Sequence, residues 1–286
     1  MKISVTLLSS YLYCSRKLFL EKVLKLEEPP KGSLVLGSIR HETYDRINKE
    51  EESIVTSITK KVDLEDIKTI YNNSYLKILR KAVADSKERL KEVNLSMLDA
   101  YRKNFLFIME ESSMRAGNIF SFIEANNVYG EELWQKLTPK ILSELRVESE
   151  GLKLKGIIDQ VHVYEKGYVP LELKTGTTPQ SGVWPNHRIQ IAAYSLLLQE
   201  RFNIPIKEGF VVYLDTKEKR HVAINPYMIE EVKKIVKEVI ELLESKELPD
   251  FCDNNNKCKK CGLRQICHNE EEVNNLLNIK INLQQA

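Results

Sequence analysis

The segment from Gly156 to Gly176 most constrains what this chain can form, because it reads as two strands of alternating or apolar character joined by a turn. If Glu165 and Lys166 form a two-residue turn, the register of the hairpin places Asp159 directly opposite Glu172. Directly opposed side chains share one face of a sheet and lie about 5 Å apart. The segment therefore predicts a hairpin that holds two carboxylates close together.

Two neighbouring carboxylates repel each other, and a bound cation would remove the repulsion. Lys174 follows Glu172 by two residues and so shares its face, whereas Leu171 and Leu173 point to the other face, into a core. Opposed carboxylates that share a divalent ion, with an ammonium group beside them, suit metal-assisted hydrolysis of a phosphodiester. The plainer interpretation is an exposed hairpin in which Glu-Leu-Lys simply alternates with solvent.

The chain has 286 residues, of which 42% are hydrophobic, so it can bury a substantial core as one large domain or two small ones. Its net charge is only +2, which neither indicates nor excludes a nucleic-acid partner. A phosphate-binding surface would therefore depend on local groups of basic residues. The candidate groups are Arg16 with Lys17, Lys153 with Lys155, and Lys257 with Lys259, Lys260 and Arg264.

The first residues are apolar, but this run is short and lacks the charged start and cleavage site of a signal peptide. No apolar run reaches the ~20 residues that a membrane span requires. We therefore expect a cytoplasmic protein with no membrane partner and with reduced cysteines. Thr6 is the expected N-cap of the helix that follows it.

Four cysteines are grouped near the end of the chain, and the last three have the spacing Cys-x2-Cys-x5-Cys. In a reducing compartment such grouping favours a metal centre over disulfide bonds. A tetrahedral zinc site made from this tail alone is one candidate, and a histidine beside the last cysteine adds a further ligand. The residues are Cys252, Cys258, Cys261, Cys267 and His268.

Three short patterns accompany the hairpin: a Gly-x-x-Asp ahead of Glu-x-Lys, an upstream Gly37-x-x-x-His41 and a downstream Gln190-x-x-x-Tyr194. Together they resemble the RecB-like branch of the PD-(D/E)XK nucleases. More narrowly, the chain is similar to the CRISPR-associated RecB-like exonucleases that carry a C-terminal iron–sulfur cluster. The resemblance covers both ends of the chain but not its middle.

The resemblance implies an α/β fold with a PD-(D/E)XK core: a mixed central sheet flanked by helices, a helical insertion and a cysteine-rich tail that binds a cluster. Residues 1–49 would contain the N-terminal helices and the first nuclease motif, and residues 50–140 the insertion. The nuclease core would occupy 141–247 and the cluster tail 248–286. The insertion would serve as a wall over a substrate strand, as a surface for a protein partner, or only to complete the core.

The same resemblance assigns the site residues. Asp159 and Glu172, with His41 and the main-chain carbonyl of Leu173, would hold magnesium or manganese, and Lys174 would orient the water or stabilise the transition state. A lone histidine on a helix is more often structural, so the role of His41 depends on the family match.

Three further residues take their roles from the family patterns. Gln190 and Tyr194 would contact the nucleic acid, although a tyrosine on the inner face of an amphipathic helix is also typical of packing alone. Glu144 would lie near the site as a supporting acid.

The N-terminal pattern Thr-Leu-Leu-x5-Cys-x-Arg-x-Leu resembles the family's first cluster motif and implies that Cys14 is a cluster ligand. A four-iron, four-sulfur cluster would then join the two ends of the chain, with a structural role, and Cys252 would be spare. The zinc site made from the tail alone stays the alternative, with Cys14 as an ordinary buried residue. The implied cluster ligands are Cys14, Cys258, Cys261 and Cys267.

The expected function is metal-dependent hydrolysis of DNA, as an exonuclease on single-stranded ends. The resemblance implies trimming of DNA before CRISPR spacer integration, with the integrase as partner. A repair or recombination nuclease of the same branch is the second expectation. A non-catalytic DNA-binding scaffold is the third, but a scaffold has no physical need for opposed carboxylates.

Overall fold

A computed structural model describes residues 1–285, and the surroundings of side chains as far as Lys280. Its strands form one mixed sheet. They are β1 (Ile3–Ser4), β2 (Lys140–Ser149), β3 (Leu154–Tyr164), β4 (Gly167–Lys174), β5 (Glu208–Tyr213) and β6 (Glu218–Ala223).

The helices flank the sheet and fill the long segment between β1 and β2. The helices that form the insertion, together with the helix that leads into it, are α3 (Gly32–Thr56), α4 (Leu64–Asp85), α5 (Lys87–Glu92), α6 (Met97–Asn126) and α7 (Gly130–Lys136). The others are α1 (Val5–Tyr13), α2 (Ser15–Lys22), α8 (Pro185–Phe202), α9 (Pro226–Glu244), α10 (Asn255–Lys259), α11 (Arg264–Cys267) and α12 (Glu270–Gln285).

Strand β3 is the centre of the sheet. Along one edge it pairs antiparallel with β2 over nearly its whole length. Along its other edge it pairs with β1 only at residues 154 and 155, and with β4 only from residue 160 onward. Strands β4 and β5 are parallel, and β5 and β6 form an antiparallel pair, so the sheet is mixed as expected.

Local chemistry explains where several helices begin. Asp63 and Ser96 accept hydrogen bonds from the third residue after them and so cap α4 and α6. Asn225 caps α9 in the same way, with Pro226 in the first turn, where a missing N–H does no harm. The expectation for Thr6 is wrong: the first helix begins at Val5, because the extended residue before it ends the short strand β1.

Two cores lie on opposite faces of the sheet. One packs α1, α8 and α9 against the sheet and includes Ile158, Val211 and Tyr213. The other lies among α3–α7 and receives Leu173 of β4 and Leu214, the residue after β5. The predicted α/β class with a mixed sheet and a helical insertion is therefore confirmed, although α3 continues across the boundary proposed at residue 50.

The end of the chain forms a small third core with the second helix. It buries Leu20, Leu263, Cys267 and Val273 together. The segment proposed as 248–286 extends one residue beyond the described part of the chain. Across residues 1–285, the helices lack the combination of length and apolar character that crossing a bilayer requires.

Candidate active site

The site forms where β3 lacks a strand partner on one edge. The hairpin has the predicted register from Tyr164 opposite Gly167 to Gln160 opposite Leu171. The ladder ends there, one position short of Asp159 and Glu172, so the expected direct pairing of the two acids does not occur. Beyond this point the Asp159 side chain accepts from the backbone of β4, and Tyr194 of α8 bonds to the backbone of β3.

Asp159 takes the place of a strand partner in this gap. Its Oδ2 accepts a hydrogen bond from the backbone N–H of Leu173 at 2.7 Å. Helix α3 brings His41 to the same oxygen, with Nδ1 at 3.6 Å. Burial acts against protonation of the imidazole, but the Asp159 carboxylate outweighs it and raises the pKa of His41.

Glu172 lies on the other side of the gap and is only 5% exposed. Its Oε1 accepts hydrogen bonds from Lys174 Nζ at 2.8 Å and from Gln190 Nε2 at 2.6 Å. The Gln190 Oε1 in turn accepts from Lys174 at 2.9 Å. Burial and the charge of Asp159 raise the pKa of the Glu172 carboxyl, and Lys174 opposes that shift. Lys174 therefore lies on the face of Glu172, as the alternation of the strand predicts.

Tyr194 fills the unpaired part of β3. Its hydroxyl donates to the Ile157 carbonyl at 2.8 Å and accepts from Gln190 Nε2 at 3.2 Å. A Cβ on Gly156 would lie 2.6 Å from Tyr194 Cε1, closer than side chains approach. The glycine of the Gly-x-x-Asp pattern thus makes room for the tyrosine, and burial raises the pKa of Tyr194, which keeps its proton.

Gly37, the glycine of the upstream pattern, is also required for steric reasons. A Cβ on Gly37 would lie 2.8 Å from the hydroxyl oxygen of Thr175, the residue after the end of β4. Without a side chain at Gly37, helix α3 approaches this segment closely. That approach is what brings His41, one helical turn later, to Asp159.

Replacement of Gly156 by alanine is expected to displace the Tyr194 ring and to lower the free energy of unfolding by about 1–3 kcal/mol through overpacking. Thermal unfolding would measure the loss. Gly167→Ala is the matched control in the same hairpin, since no atom of residues 1–280 lies within 4 Å of its added Cβ. Combining Gly156→Ala with Tyr194→Leu should recover stability, and a double variant no more stable than Gly156→Ala would refute the steric explanation.

Glu144 lies on β2 at the position that the register places opposite Asp159. It is not in the ladder, and its φ of 51° is uncommon for a residue with a side chain. Burial, followed by the charges of Asp159 and Asp45, raises the pKa of its carboxyl. The proposed supporting acid therefore belongs electrostatically to the same group as Asp159.

Two polar arrangements beside the site were not predicted from the sequence. The Tyr213 hydroxyl lies 3.1 Å from His187 Nδ1 and accepts from the Trp184 backbone N–H, which ties the loop before α8 to β5. Burial, then the charge of Lys174, lowers the pKa of His187 to about 3, so its ring is neutral. No spacing in the sequence connects these residues, because they come from different elements.

The second arrangement fixes the segment after β4. Asp215 accepts from the Gly176 backbone N–H at 2.6 Å and forms an ion pair with the buried Arg40 of α3. Asn104 of α6 accepts from the same guanidinium. The insertion, the helix that carries His41 and the end of β4 are therefore held together by one arginine.

The carboxylates of the gap have the chemical character of ligands for a divalent metal. Within residues 1–285 no group of three or more His, Cys, Asp and Glu side chains is arranged to hold a metal ion. However, Glu172 Oε2 is buried without a hydrogen-bond partner among the described residues. A buried carboxylate oxygen without a donor is exceptional in a folded protein and is chemically suited to a hard cation. The oxygen-rich pair of Glu172 and Asp159 therefore fits magnesium or manganese in chemical type.

All five cysteines line one small cavity between the N-terminal helices and the tail. Cys14 lies at the break between α1 and α2, where its Sγ accepts from the Lys17 backbone N–H at 3.3 Å. Cys258 Sγ lies 3.8 Å from His268 Nε2. Both proposed ligand sets are thus brought to one place, and Cys252 is among them. A thiol-only set is suited to an iron–sulfur cluster or to zinc.

Polar contacts also attach the tail to the start of the chain. Arg16 donates to the Pro249 carbonyl at 2.7 Å and to the Cys267 carbonyl at 3.3 Å. Glu28 accepts from Lys17 at 2.6 Å and from the Gly262 backbone N–H at 2.7 Å. Two of the basic residues considered for phosphate binding, Arg16 and Lys17, therefore serve this attachment.

The comparison with protein families gives a match over residues 2–268 to the PD-(D/E)XK nuclease superfamily. The match covers nearly the whole chain and both halves of the site. The chain belongs to the PD-(D/E)XK nuclease superfamily.

Among known proteins, the chain is 31% identical over 124 residues to "CRISPR-associated exonuclease Cas4" of Francisella tularensis subsp. novicida, which covers 43% of this chain and 61% of the relative. It is 28% identical over 151 residues to the "CRISPR-associated exonuclease Cas4/endonuclease Cas1 fusion" of Leptospira interrogans, and this match covers 50% of this chain and 28% of the relative. The "DNA replication ATP-dependent helicase/nuclease DNA2" of Gallus gallus is 26% identical to this chain over 227 residues, and the match covers 75% of this chain and 21% of the relative. The chain spans less than two thirds of the length of each of these relatives.

Proposed function

We propose that the chain is a metal-dependent deoxyribonuclease that hydrolyses phosphodiester bonds at the gap between β3 and β4. The observation that carries the proposal is Glu172: a nearly fully buried carboxylate beside a second carboxylate, with one oxygen that has no hydrogen-bond partner among the described residues. Burying such a charge is costly unless a cation or a function accounts for it. A DNA-binding scaffold would not need this arrangement.

Each residue of the gap has a role in this proposal. Asp159, Glu172 and the Leu173 carbonyl would hold the cation, and His41 would hold the Asp159 carboxylate in place or join the ligands. Lys174 would direct its ammonium group to the reacting phosphate and orient the attacking water. Gln190 fixes the Lys174 and Glu172 side chains relative to each other.

A divalent ion bound by these carboxylates would polarise the phosphate and increase the acidity of a water. Tyr194 and Gln190 were expected to contact the nucleic acid. In the structure both are buried and bonded within the site. We therefore propose that they act chiefly by positioning Glu172 and the unpaired edge of β3.

The substrate and partner follow from the relatives' names. Two of them are called CRISPR-associated exonucleases, and one of these is fused to an endonuclease Cas1. We propose that this chain trims single-stranded DNA ends for spacer acquisition and associates with a Cas1-type integrase. Size-exclusion chromatography of the chain with the Cas1 protein of the same genome tests the partner, and separate elution of the two contradicts it.

A repair or replication nuclease is the second candidate. The match to the DNA2 helicase/nuclease spans 75% of this chain, more than either Cas4 match above, although it covers only 21% of that relative. This candidate shares the proposed chemistry and differs in the substrate and the partner.

Cleavage of end-labelled single-stranded DNA, with and without manganese, tests the activity. We expect shortened products only when the metal is present. Closed circular single-stranded DNA is the matched substrate without ends and is expected to stay intact if the enzyme is an exonuclease. No cleavage of either substrate, by folded protein in the presence of manganese or magnesium, would refute the proposal.

A further inference from the structure

A cavity of about 780 Å³ opens between the helices α3, α6 and α7 and the face of the sheet opposite α8. Its volume is within the ~300–1,000 Å³ that is typical of small-molecule sites. Aromatic and apolar side chains form much of its wall. The aromatic rings come from three helices: Tyr44 from α3, Phe107 and Phe122 from α6, and Trp134 from α7. Met114 and Leu137 add apolar surface.

The cavity contains a buried amide with an unused donor. Asn48 is 7% exposed and lines the cavity. Its Oδ1 accepts from Arg115 at 2.7 Å, which fixes the orientation of the amide. Its Nδ2 is buried and has no partner among the described residues. An unpaired buried N–H group is costly, so the site is suited to a ligand that brings an acceptor.

Strand β3 adds two more neutral polar groups. Gln160 and His162 are two residues apart and share one face of the strand, and both line the cavity. The structure gives neither side chain a hydrogen bond to another described residue. Burial, then Lys219 and Arg115, lowers the pKa of His162 to about 4, so its ring is neutral near pH 7.

The charges at the cavity leave a surplus of cations. Three acids line it, but each is already bonded: Glu51 and Glu111 to Arg115, and Glu110 to Lys217. By contrast, Lys140 and Lys219 form no ion pair with any carboxylate of residues 1–280 and lie against the rings of Trp134 and Phe210. A ligand with an anionic group could therefore bind these lysines without competition.

We propose that this cavity binds one unpaired nucleotide, with its base among the aromatic rings and its phosphate at Lys140 and Lys219. Aromatic side chains accept any base by stacking, and base edges supply acceptors for a donor such as Asn48 Nδ2. The inference rests on the proposed function in that the ligand class is nucleic acid. It extends that function by assigning the helical insertion a part in holding the substrate.

The position of the cavity relative to the candidate active site supports this. His41, Tyr44 and Asn48 follow one another at helical spacing on the same side of α3. His41 contacts Asp159, and Tyr44 and Asn48 line the cavity. A rise of about 1.5 Å per residue places Asn48 roughly 10 Å along the helix from His41. Glu172 and Lys174 lie on the α8 face of the sheet, but His41 reaches Asp159 from the cavity side. A strand that passes the gap between β3 and β4 could therefore place a neighbouring nucleotide in the cavity.

The two tryptophans of the chain allow a direct test of location. In Trp184→Phe protein, Trp134 is the remaining indole and lines the cavity. We expect a deoxynucleoside monophosphate or a short single-stranded oligonucleotide, added in EDTA, to quench its fluorescence by stacking. Quenching by both identifies a site open to free nucleotide, and quenching by the oligonucleotide alone identifies a site for a nucleotide within a strand. Quenching by neither, or equally by ribose 5-phosphate, would overturn the proposal.

Filling the cavity from its rim gives a second test. Met114 is 54% exposed and lines the cavity, whereas Leu106 of the same helix is 68% exposed and does not. With a dye-labelled oligonucleotide in EDTA, Met114→Trp should weaken binding at least about tenfold and Leu106→Trp should leave it unchanged. Equal affinities of these two variants would contradict the assignment.

Substituting a lysine tests the phosphate contact and leaves the aromatic and apolar side chains of the cavity unchanged. Lys140→Gln should weaken oligonucleotide binding and reduce its salt dependence, because one phosphate contact is lost. Lys136→Gln, which changes a lysine paired with Glu132 on α7, is the control. All of these binding measurements are made without metal and so are independent of cleavage. If binding to the cavity is not found, the proposed cleavage is unaffected. If the protein binds as expected but does not cleave DNA, only the proposed cleavage is refuted.

Discussion

Replacing Asp159 by asparagine or Glu172 by glutamine is expected to reduce cleavage of single-stranded DNA by a factor of about 10³ or more, while the protein stays folded. Each change removes a negative charge from the gap, and the proposed hydrolysis depends on that charge to hold the metal. In Glu172→Gln, the amide oxygen can still accept from Lys174 and Gln190, as Oε1 does now. Both variants should stay folded, because each amide keeps an oxygen that can accept the hydrogen bonds that the carboxylate accepts now.

The control for these variants is Glu148→Gln, which changes an exposed carboxylate on β2 that pairs with Lys2. It should cleave at the wild-type rate. A second readout is thermal unfolding with and without manganese: a metal that binds only the folded state raises the melting temperature of the wild type. Asp159→Asn and Glu172→Gln should lose this rise. Wild-type cleavage by either variant would show that the site lies elsewhere.

The hairpin could be predicted in detail because local rules determine it. A two-residue turn fixes the register, and the alternation of side chains then fixes which residues share a face. Lys174 beside Glu172, and Leu173 in the opposite core, follow directly.

The end of the ladder could not be predicted, since it depends on a tyrosine that arrives from another element. Tyr194 occupies the edge of β3 where the rule for an isolated hairpin expects continued pairing. Gly156 is the residue in the sequence that this contact requires, because a Cβ there would collide with the Tyr194 ring. A glycine alone, however, does not identify which side chain packs against it. The ring depends on how α8 packs against the sheet.

The roles of His41, Gln190 and Tyr194 came from the family patterns, because single residues on helices carry little signal of their own. The structure also shows polar contacts that none of these sequence patterns includes, such as the hydrogen bond from Arg115 to the Asn48 amide. Such contacts join α3 to α6, which are separated in sequence by α4 and α5. Periodicity predicts that these helices exist but not which faces meet.

The second large effect is expected at Cys14, because its replacement distinguishes the two metal centres. We propose a four-iron, four-sulfur cluster bound by the thiolates of Cys14, Cys258, Cys261 and Cys267. Anaerobically purified protein should then be brown. Cys14→Ser should lose the colour and the iron, and its melting temperature should fall by about 10 °C, because the energy of binding the cluster also stabilises the fold.

Serine is the informative replacement at this position. Cys14 Sγ accepts from the Lys17 backbone N–H and so caps α2, and a serine hydroxyl can do the same. Loss of the cap alone would cost about 1 kcal/mol, which the serine avoids. A large loss of stability in Cys14→Ser therefore reports the metal centre and the joining of the two ends of the chain, and not the helix start.

Cys252→Ser is the matched control, since Cys252 lines the same cavity but belongs to the zinc alternative. If the cluster is present, this variant should keep its iron, colour and melting temperature. A zinc site built from the tail inverts the result: the protein is colourless and contains zinc, Cys14→Ser retains the metal, and Cys252→Ser loses it. That outcome would refute the cluster, and it would leave Arg16, Glu28 and the small core around Leu263 to hold the ends of the chain together.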